Sequence, residues 1–389
     1  MAAFWPLTFL AVFFAVHGAN MPYMPVWYEK VRGLSGEKIG LVLSAALMLR
    51  VVTGPVIAAW AEGLRDPRRG YALLSLGVVC SLGGIAVAPN LFWLIVGAVC
   101  LQTCMSSVMP FAEASTVIAT RTGPISYGVG RAFGSAAFIF GTLVVGMLLG
   151  WFGPWSIYWW ITGFTLLMAI AILQVPALPV PLNPNGVRLG FRGRLRGMFA
   201  LLREPDFARI VVAAACIQAS HAFLYSFSTL TWLKQGLNSG QVGLLWGVGV
   251  AAEIALLLSA HRFFRNRNPE ALLLIGGLIA IARWALLTIA LPFPLLVLVQ
   301  CAHAGSFALS HLAAMQLLDR MAGDRLAVAQ TLYFSLGTGA FTGVATLGAG
   351  WLYQHFASGG YGVMCAVSAI GVGVLLLGMR RRATGPANS

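Results

Sequence analysis

The sequence predicts an all-α membrane protein: twelve transmembrane helices in two six-helix pseudo-symmetric bundles. Three observations carry this expectation. Of 389 residues, 59% are hydrophobic and only 9% are charged, and the mean hydropathy is +0.84, a composition unlike any soluble domain. Apolar stretches of about 20 residues, the length a helix needs to cross a bilayer core, recur along the chain. Short signatures of the first half also return in the second half at a fixed offset.

The apolar stretches fall at 4–28, 37–59, 70–88, 91–117, 127–150, 155–175, 207–232, 240–260, 270–291, 294–317, 327–352 and 360–379. Backbone inside lipid must satisfy its own polar groups, so each is expected to be a helix. The 45 glycines suit close helix packing. The first stretch lacks a basic n-region and is too long for a signal peptide, so it reads as a retained helix. Little chain is left between spans, and no extramembrane domain is expected. The longest loop is rich in proline early (Pro176, Pro179, Pro181, Pro184) and in arginine later (Arg188, Arg192, Arg194, Arg196). It divides the chain into an N-terminal bundle (1–175), a cytoplasmic linker (176–206) and a C-terminal bundle (207–389). Residues 193–202 read either as plain linker or as a short amphipathic surface helix.

The net charge of +14 raises the question of nucleic acid, but its distribution answers it. Nineteen basic residues cluster in alternate loops, for example Arg65, Arg68 and Arg69 or Arg262, Arg265 and Arg267, against four in the opposite loops (Lys30, Arg32, Lys38, Lys234). This is the positive-inside pattern, and it places both termini in the cytoplasm. No nucleic-acid partner is expected. The six cysteines all lie within spans without metal-site spacing and read as packing residues.

The repeat is read from Ser35-Gly-Glu-Lys-Ile39-Gly40-Leu41 and Ser239-Gly-Gln-Val242-Gly243-Leu244. Matching Ile39-Gly40 to Val242-Gly243 sets an offset of 203 residues, which also pairs Gly134 with Gly337, Phe138 with Phe341, Ser107 with Ser310 and Glu113 with Gln316. The same offset carries Arg50 onto Glu253, two charges in the middle of apolar runs. A charge at the bilayer centre costs roughly 2.5–3.5 kcal/mol on insertion scales and is rarely kept without a use. The pattern points to a transporter of two related halves, with a site between them.

Polar and aromatic residues recur at steps of three and four on four spans. Span 1 carries His17, Asn20, Met24 and Trp27. Span 4 carries Gln102, Ser106, Met109 and Glu113. Span 7 carries Gln218, His221, Tyr225, Ser228 and Trp232, and span 10 carries Gln300, His303, Phe307, Ser310 and His311. Such a stripe must face protein or water. Arg50 has two readings: a guanidinium that binds a substrate carboxylate through two parallel hydrogen bonds, or a structural ion pair. Glu253 is either a proton carrier or the partner of Arg283 on span 9. His17, His221 and His303 are candidates to hydrogen-bond substrate, and His221 also to help move the proton. Tyr225 and Trp246 would border an aromatic substrate, beside Phe13, Phe14, Phe138, Tyr333 and Phe341. Glu62, Arg68, Arg69, Glu113 and Arg131 read as an inner charge cluster that gates the transporter, or as simple positive-inside anchoring. No metal site, cofactor motif or nucleophile–base pair is present, so no cofactor and no enzymatic activity are expected.

Two kinds of motif carry a family resemblance. Trp60-Ala-Glu62-Gly-Leu-Arg-Asp66-Pro-Arg68-Arg69 resembles a degenerate form of the loop motif of the major facilitator superfamily. Several stretches are similar to the phenylpropionate permease group within it: Gln218-Ala-Ser-His221, Gly243-Leu-Leu-Trp246 through Glu253-Ile, Pro110-Phe-Ala-Glu113, Tyr127-Gly-Val-Gly-Arg131 and His303-Ala-Gly-Ser-Phe-Ala-Leu-Ser-His311. The resemblance implies a cavity lined by helices 1, 2, 4, 5, 7, 8, 10 and 11, the set that carries the four stripes. It also implies proton-coupled uptake of a small organic solute.

The resulting expectation is a monomeric secondary active transporter of a bacterial-type cytoplasmic (inner) membrane. It would import a small organic acid, possibly an aromatic carboxylate, with protons by alternating access. The alternatives are proton-coupled import of neutral nucleosides or sugars, and a non-transporting sensor or lipid-handling protein. Drug efflux fits less well, because Gly134 to Gly146 contains no proline.

Overall fold

A computed structural model of the protein describes residues 4–122, 127–176, 198 and 200–384. Most of the 176–206 linker, with its proline- and arginine-rich parts, lies outside the described residues. Among those described the chain is helical. The first six helices are α1 (Phe4–Lys30), α2 (Gly36–Glu62), α3 (Pro67–Val87), α4 (Leu91–Thr122), α5 (Tyr127–Phe152) and α6 (Trp155–Gln174). Then come α7 (Pro205–Lys234), α8 (Ser239–Phe264), α9 (Pro269–Leu287) and α10 (Phe293–Ala322). The passage α11 runs through Leu326–Phe334, Ser335–Phe341 and Thr342–Phe356, and α12 is Tyr361–Thr384. Among the described residues, eleven uninterrupted stretches are long and apolar enough to span a membrane, the last covering both α11 and α12. Those two are parted by a short turn at Ala357–Gly360, where Ala357 takes a positive φ of 46°.

The helices start where the sequence supplies caps. Asp66 accepts from the Arg68 amide ahead of Pro67, and Asn268 accepts from the Glu270 amide ahead of Pro269, so α3 and α9 open with the same device. At its far end α3 is capped by Arg32, whose guanidinium donates to the carbonyls of Ala86 (2.5 Å) and Ala88.

The chain forms two compact units. The first joins residues 1–179 with 224–251 and 346–357; the second holds 180–223, 252–345 and 358–389. In the first unit α1 packs on α5 and α6, and α4 packs on α2 and α3. A Cβ at Gly18 would lie 2.5 Å from the Phe138 carbonyl oxygen, so glycine is what lets α1 and α5 touch. Parts of α7, α8 and α11 belong to this unit as well. A Cβ at Gly350 of α11 would lie 2.7 Å from the Gly36 carbonyl oxygen and 2.8 Å from the Gly40 Cα. Around this contact Tyr353 donates to Glu29 (3.0 Å), Lys234 pairs with Glu29 (3.2 Å) and His355 meets Glu37 (3.1 Å).

In the second unit the first part of α7 packs against α12 and α11, and α9 against α10 and α12. Its core includes Phe207, Ile210, Leu273, Leu318, Tyr333 and Leu375. Three of its helices depart from regular α-geometry. In α7 the helix turns at Ser220 and His221, between Pro205–Ala219 and Ala222–Lys234. In α10 residues Ala304–Leu309, and in α11 residues Ser335–Phe341, wind as π-helix. Such bulges interrupt the hydrogen-bond ladder and recur at functional sites. The repeat-related stretches of α4 and α5 are plain α-helix, so the bulges belong to the second half alone.

Of the six cysteines only Cys216 is fully buried, whereas Cys80, Cys100 and Cys301 are exposed; the packing role expected for all six is corrected for those three.

The glycine contact yields a prediction. Gly350→Val should cost about 1–3 kcal/mol through overpacking against α2, while Gly348→Ala, where a Cβ meets nothing within 4 Å, should cost nothing. Thermal unfolding in detergent would compare them, and equal melting temperatures would contradict the contact.

Candidate functional site

The polar residues of the second unit converge on His303, just before the α10 bulge. Its Nε2 lies 2.8 Å from the Glu253 carboxylate on α8. Its Nδ1 lies 2.9 Å from a guanidinium nitrogen of Arg283 on α9. Arg283 is 2% exposed. It also donates to the Val299 carbonyl (3.0 Å), to Ser306 Oγ (3.2 Å) and to Gln300 Oε1. Arg283 also lies over the ring of Trp284, 4.7 Å from its centroid. The two charges that the sequence offers as a possible direct pair are therefore both held by one imidazole.

His221 stands beside this group, its ring centroid 5.4 Å from that of His303. It occupies the α7 turn, where its Nδ1 faces the Ile217 carbonyl at 3.1 Å and its Nε2 faces Ser306 Oγ at 3.2 Å. A carbonyl can only accept, so Nδ1 carries the hydrogen and Nε2 takes the serine hydroxyl. Ser220 fills the other side of the turn, donating to Ile217 (2.7 Å) and receiving Trp284 Nε1 (2.9 Å) and Ser368 Oγ (2.8 Å). The broken helix thus has its freed carbonyl satisfied twice. Gln218 reaches α10 through weak bonds to the Phe307 carbonyl (3.4 Å) and Ser310 Oγ (3.5 Å). Its buried Oε1 has no hydrogen-bond partner among the described residues. His311 lies further along α10, within Coulombic reach of Glu253 and 6.0 Å from the Tyr333 ring.

The first unit holds Arg50 at the middle of α2, half-buried and within Coulombic reach of His17 on α1. No hydrogen bond or ion pair reaches Arg50 among the described residues. The His17 ring stacks on Phe13 (centroids 6.2 Å apart) and meets Phe138 at 6.1 Å. Asn20 is buried one turn further on. Tyr225 and Trp246 also belong to this unit. Their rings stack at 6.4 Å, and Trp246 Nε1 donates to Thr229 (2.9 Å).

The five residues read as a charge cluster divide into separate groups. Glu113 and Arg131 pair at 2.7 Å, with Arg131 over the Phe14 ring at 4.9 Å. Arg68 pairs with Asp66 at 2.9 Å and donates to the Val175 carbonyl at 3.1 Å, and Arg69 lies 3.7 Å from Asp66. Glu62 accepts from Tyr71 at 3.4 Å. Asp66, outside the proposed gate set, is thus the centre of that loop. The Arg68 hydrogen bond, helped by the Arg69 charge, holds its carboxyl below the usual carboxylate range.

The sequence marks Glu253, His303 and Arg283 and offers a direct Glu253–Arg283 pair, but it shows neither the junction through His303 nor the two bulges. The signal for the junction is the spacing of Gln300, His303 and Ser306, one turn apart on one helix face opposite a mid-span arginine.

With this geometry in place, comparison with known proteins fixes the class. Residues 5–360 match the model of the MFS_1 like family, and the chain belongs to it. It is thus a multi-pass membrane transporter of the major facilitator superfamily and not an enzyme. Among its relatives, a protein of Escherichia coli (strain K12) named as a probable 3-phenylpropionic acid transporter is 29% identical over 360 residues, 92% of each chain. The maltose permease of Geobacillus stearothermophilus is 26% identical over 385 residues, 98% of this chain and 95% of that one. The crystal structure of the nucleoside transporter NupG matches 98% of this chain and 100% of its own, with TM-score 0.83 and 14% identity. At that identity the likeness speaks for the fold alone.

The loop geometry predicts an acid-dependent effect. A carboxyl with a depressed pKa stabilises the fold above its unfolded value of about 4, and that contribution is lost as pH falls through the folded value. Asp66→Ala should lower stability near neutral pH by about 1 kcal/mol, mainly through the lost cap. The gap to the parent protein should narrow in acid, as the pairing with Arg68 and Arg69 is lost. A melting-temperature series in detergent would check this, and a gap that widens in acid would contradict it.

Proposed function

We propose that this transporter imports a small organic acid, possibly an aromatic carboxylate, together with protons by alternating access. The observation that carries the reading is Arg50: a guanidinium at mid-helix, without a hydrogen bond or ion pair among the described residues. An arginine cannot shed its charge at such a depth, and a carboxylate ligand satisfies its planar donor fork. His17 and Asn20, on the adjoining helix, supply further hydrogen bonds. Phe13, Phe138, Tyr225 and Trp246 offer aromatic surface. Glu253 carries the proton, with His303 and His221 beside it. It is the carboxyl group of the buried His303 junction, and it can exist with or without a proton. Its neighbour His303 supplies a hydrogen bond in either state. The Glu113–Arg131 and Asp66–Arg68–Arg69 pairs, with Glu62, are read as contacts made and broken during the cycle. The protein works as a monomer in a bacterial-type inner membrane with cytoplasmic termini. Residues 1–175 and 207–389 form its two bundles and 176–206 the linker. The name of the Escherichia coli relative supports the acid.

A second reading, import of a neutral sugar or nucleoside, is favoured by the buried Gln218 Oε1, which has no hydrogen-bond partner among the described residues and would accept from a substrate hydroxyl. The names of the maltose permease and of NupG support it.

Two substitutions separate these readings. Under the first, Arg50→Ala should weaken binding of the acid at least a hundredfold, the loss of a buried charge-assisted pair worth about 3 kcal/mol. Isothermal titration in detergent reads it; unchanged affinity would move the acid away from Arg50. Glu253→Gln should abolish gradient-driven accumulation in proteoliposomes while sparing exchange, and a variant that still concentrates substrate would make Glu253 structural.

A further inference from the structure

We infer that Arg283, on α9, is a positioning residue that fixes the tautomer of His303 and so confines the transported proton to Glu253. The inference rests on the reading of Glu253 as proton carrier and deepens it.

The guanidinium has five N–H donors and no acceptor. The His303 nitrogen facing it, Nδ1 at 2.9 Å, must therefore present its lone pair. The ring's one hydrogen is then on Nε2, aimed at Glu253 Oε1 at 2.8 Å. Arg283 cannot swing aside to relieve this geometry. Its donors are also held by Val299, Gln300 and Ser306, spread over two turns of α10, and Trp284 covers its face. The α10 bulge begins directly after His303.

The consequence is chemical. Adding a proton to His303 would place an Nδ1–H against a guanidinium N–H, two donors with no acceptor between them. An imidazole relay also needs both nitrogens, one to receive and one to release, and here one is closed. His303 thus donates to Glu253 in every step and does not carry the proton. When Glu253 is ionised the bond is charge-assisted. When Glu253 is protonated its carbonyl oxygen accepts the same bond, and its hydroxyl hydrogen leaves from the other oxygen. Among the described residues, the titratable and charged groups facing the ring include His221 from α7, Glu253 from α8 and Arg283 from α9, with His311 of α10 within reach of Glu253. His221 holds the opposite tautomer, with its hydrogen on Nδ1, so the two histidines differ in a measurable way.

The test is nitrogen NMR of the full-length protein in nanodiscs, labelled with ¹⁵N-histidine and titrated from about pH 5 to 8, the range in which an ordinary histidine gains its charge. The His303 signals are identified by their loss in His303→Gln. The expected result is a bare Nδ1 and a protonated Nε2 that do not change across the titration. In Arg283→Gln the ring should titrate, and in Arg283→Lys, which keeps a cationic donor, it should not. A parent protein whose His303 carries a hydrogen on Nδ1, or becomes an imidazolium in this range, overturns the inference, and this outcome needs no variant to fold. Fixed tautomer signals together with a Glu253→Gln protein that still concentrates substrate would leave the assignment of Arg283 and His303 standing and remove the transport role of Glu253.

Discussion

A charge placed in hydrocarbon has to receive from protein the hydrogen bonds that water would have given it. That constraint organises the second half of this transporter. Arg283 lies on α9, at the depth where its solvation is most costly. The chain meets the cost with a carbonyl, an amide oxygen, a hydroxyl and an imidazole nitrogen, all from two turns of α10. Regular α-helix spaces such groups by 3.6 residues. The π-bulge at Ala304–Leu309 changes that spacing next to His303. The bulge, the histidine and the arginine form one device, and Glu253 receives its product: a hydrogen bond that does not switch direction.

The two halves have solved the same problem differently. The offset that aligns Ile39 with Val242 sets Arg50 opposite Glu253 in sequence, yet their surroundings share little. Glu253 meets an imidazole that Arg283 holds from its other side, whereas Arg50 lies within Coulombic reach of the His17 imidazole and has no hydrogen bond among the described residues. A buried network of fixed partners suits a group that must change protonation and nothing else. A charge without a hydrogen-bond partner suits a group that waits for a ligand. The regular α4 and α5 beside the bulged α10 and α11 express the same division in the backbone.

Much of this was legible in the sequence because the bilayer simplifies the code. Long apolar runs can only be helices, so the spans followed from length and hydropathy. The caps Asp66-Pro67 and Asn268-Pro269 mark where two of them begin. Arg50, Glu253 and Arg283 stand out because so few charges are tolerated at their positions. Their partners were hidden. Whether Glu253 meets Arg50, Arg283 or His303 depends on the rotation of α8 and α9 about their axes, which helical periodicity leaves open to within a residue or two. The bulges were hidden for a related reason: Ala304-Gly-Ser-Phe and Ser335-Leu-Gly-Thr read as ordinary small-residue packing. In the Asp66 loop the arginines dominate the sequence pattern, and only the geometry shows the carboxylate that gathers them.

The most direct measurement is uptake by the purified protein in proteoliposomes, with labelled 3-phenylpropionate, maltose and a nucleoside offered in parallel, with and without an inward proton gradient. The account predicts that the aromatic acid alone accumulates, and only when the gradient is present. Accumulation of maltose or the nucleoside in its place would contradict the role given to Arg50, and accumulation of the acid that ignores the proton gradient would contradict the role given to Glu253.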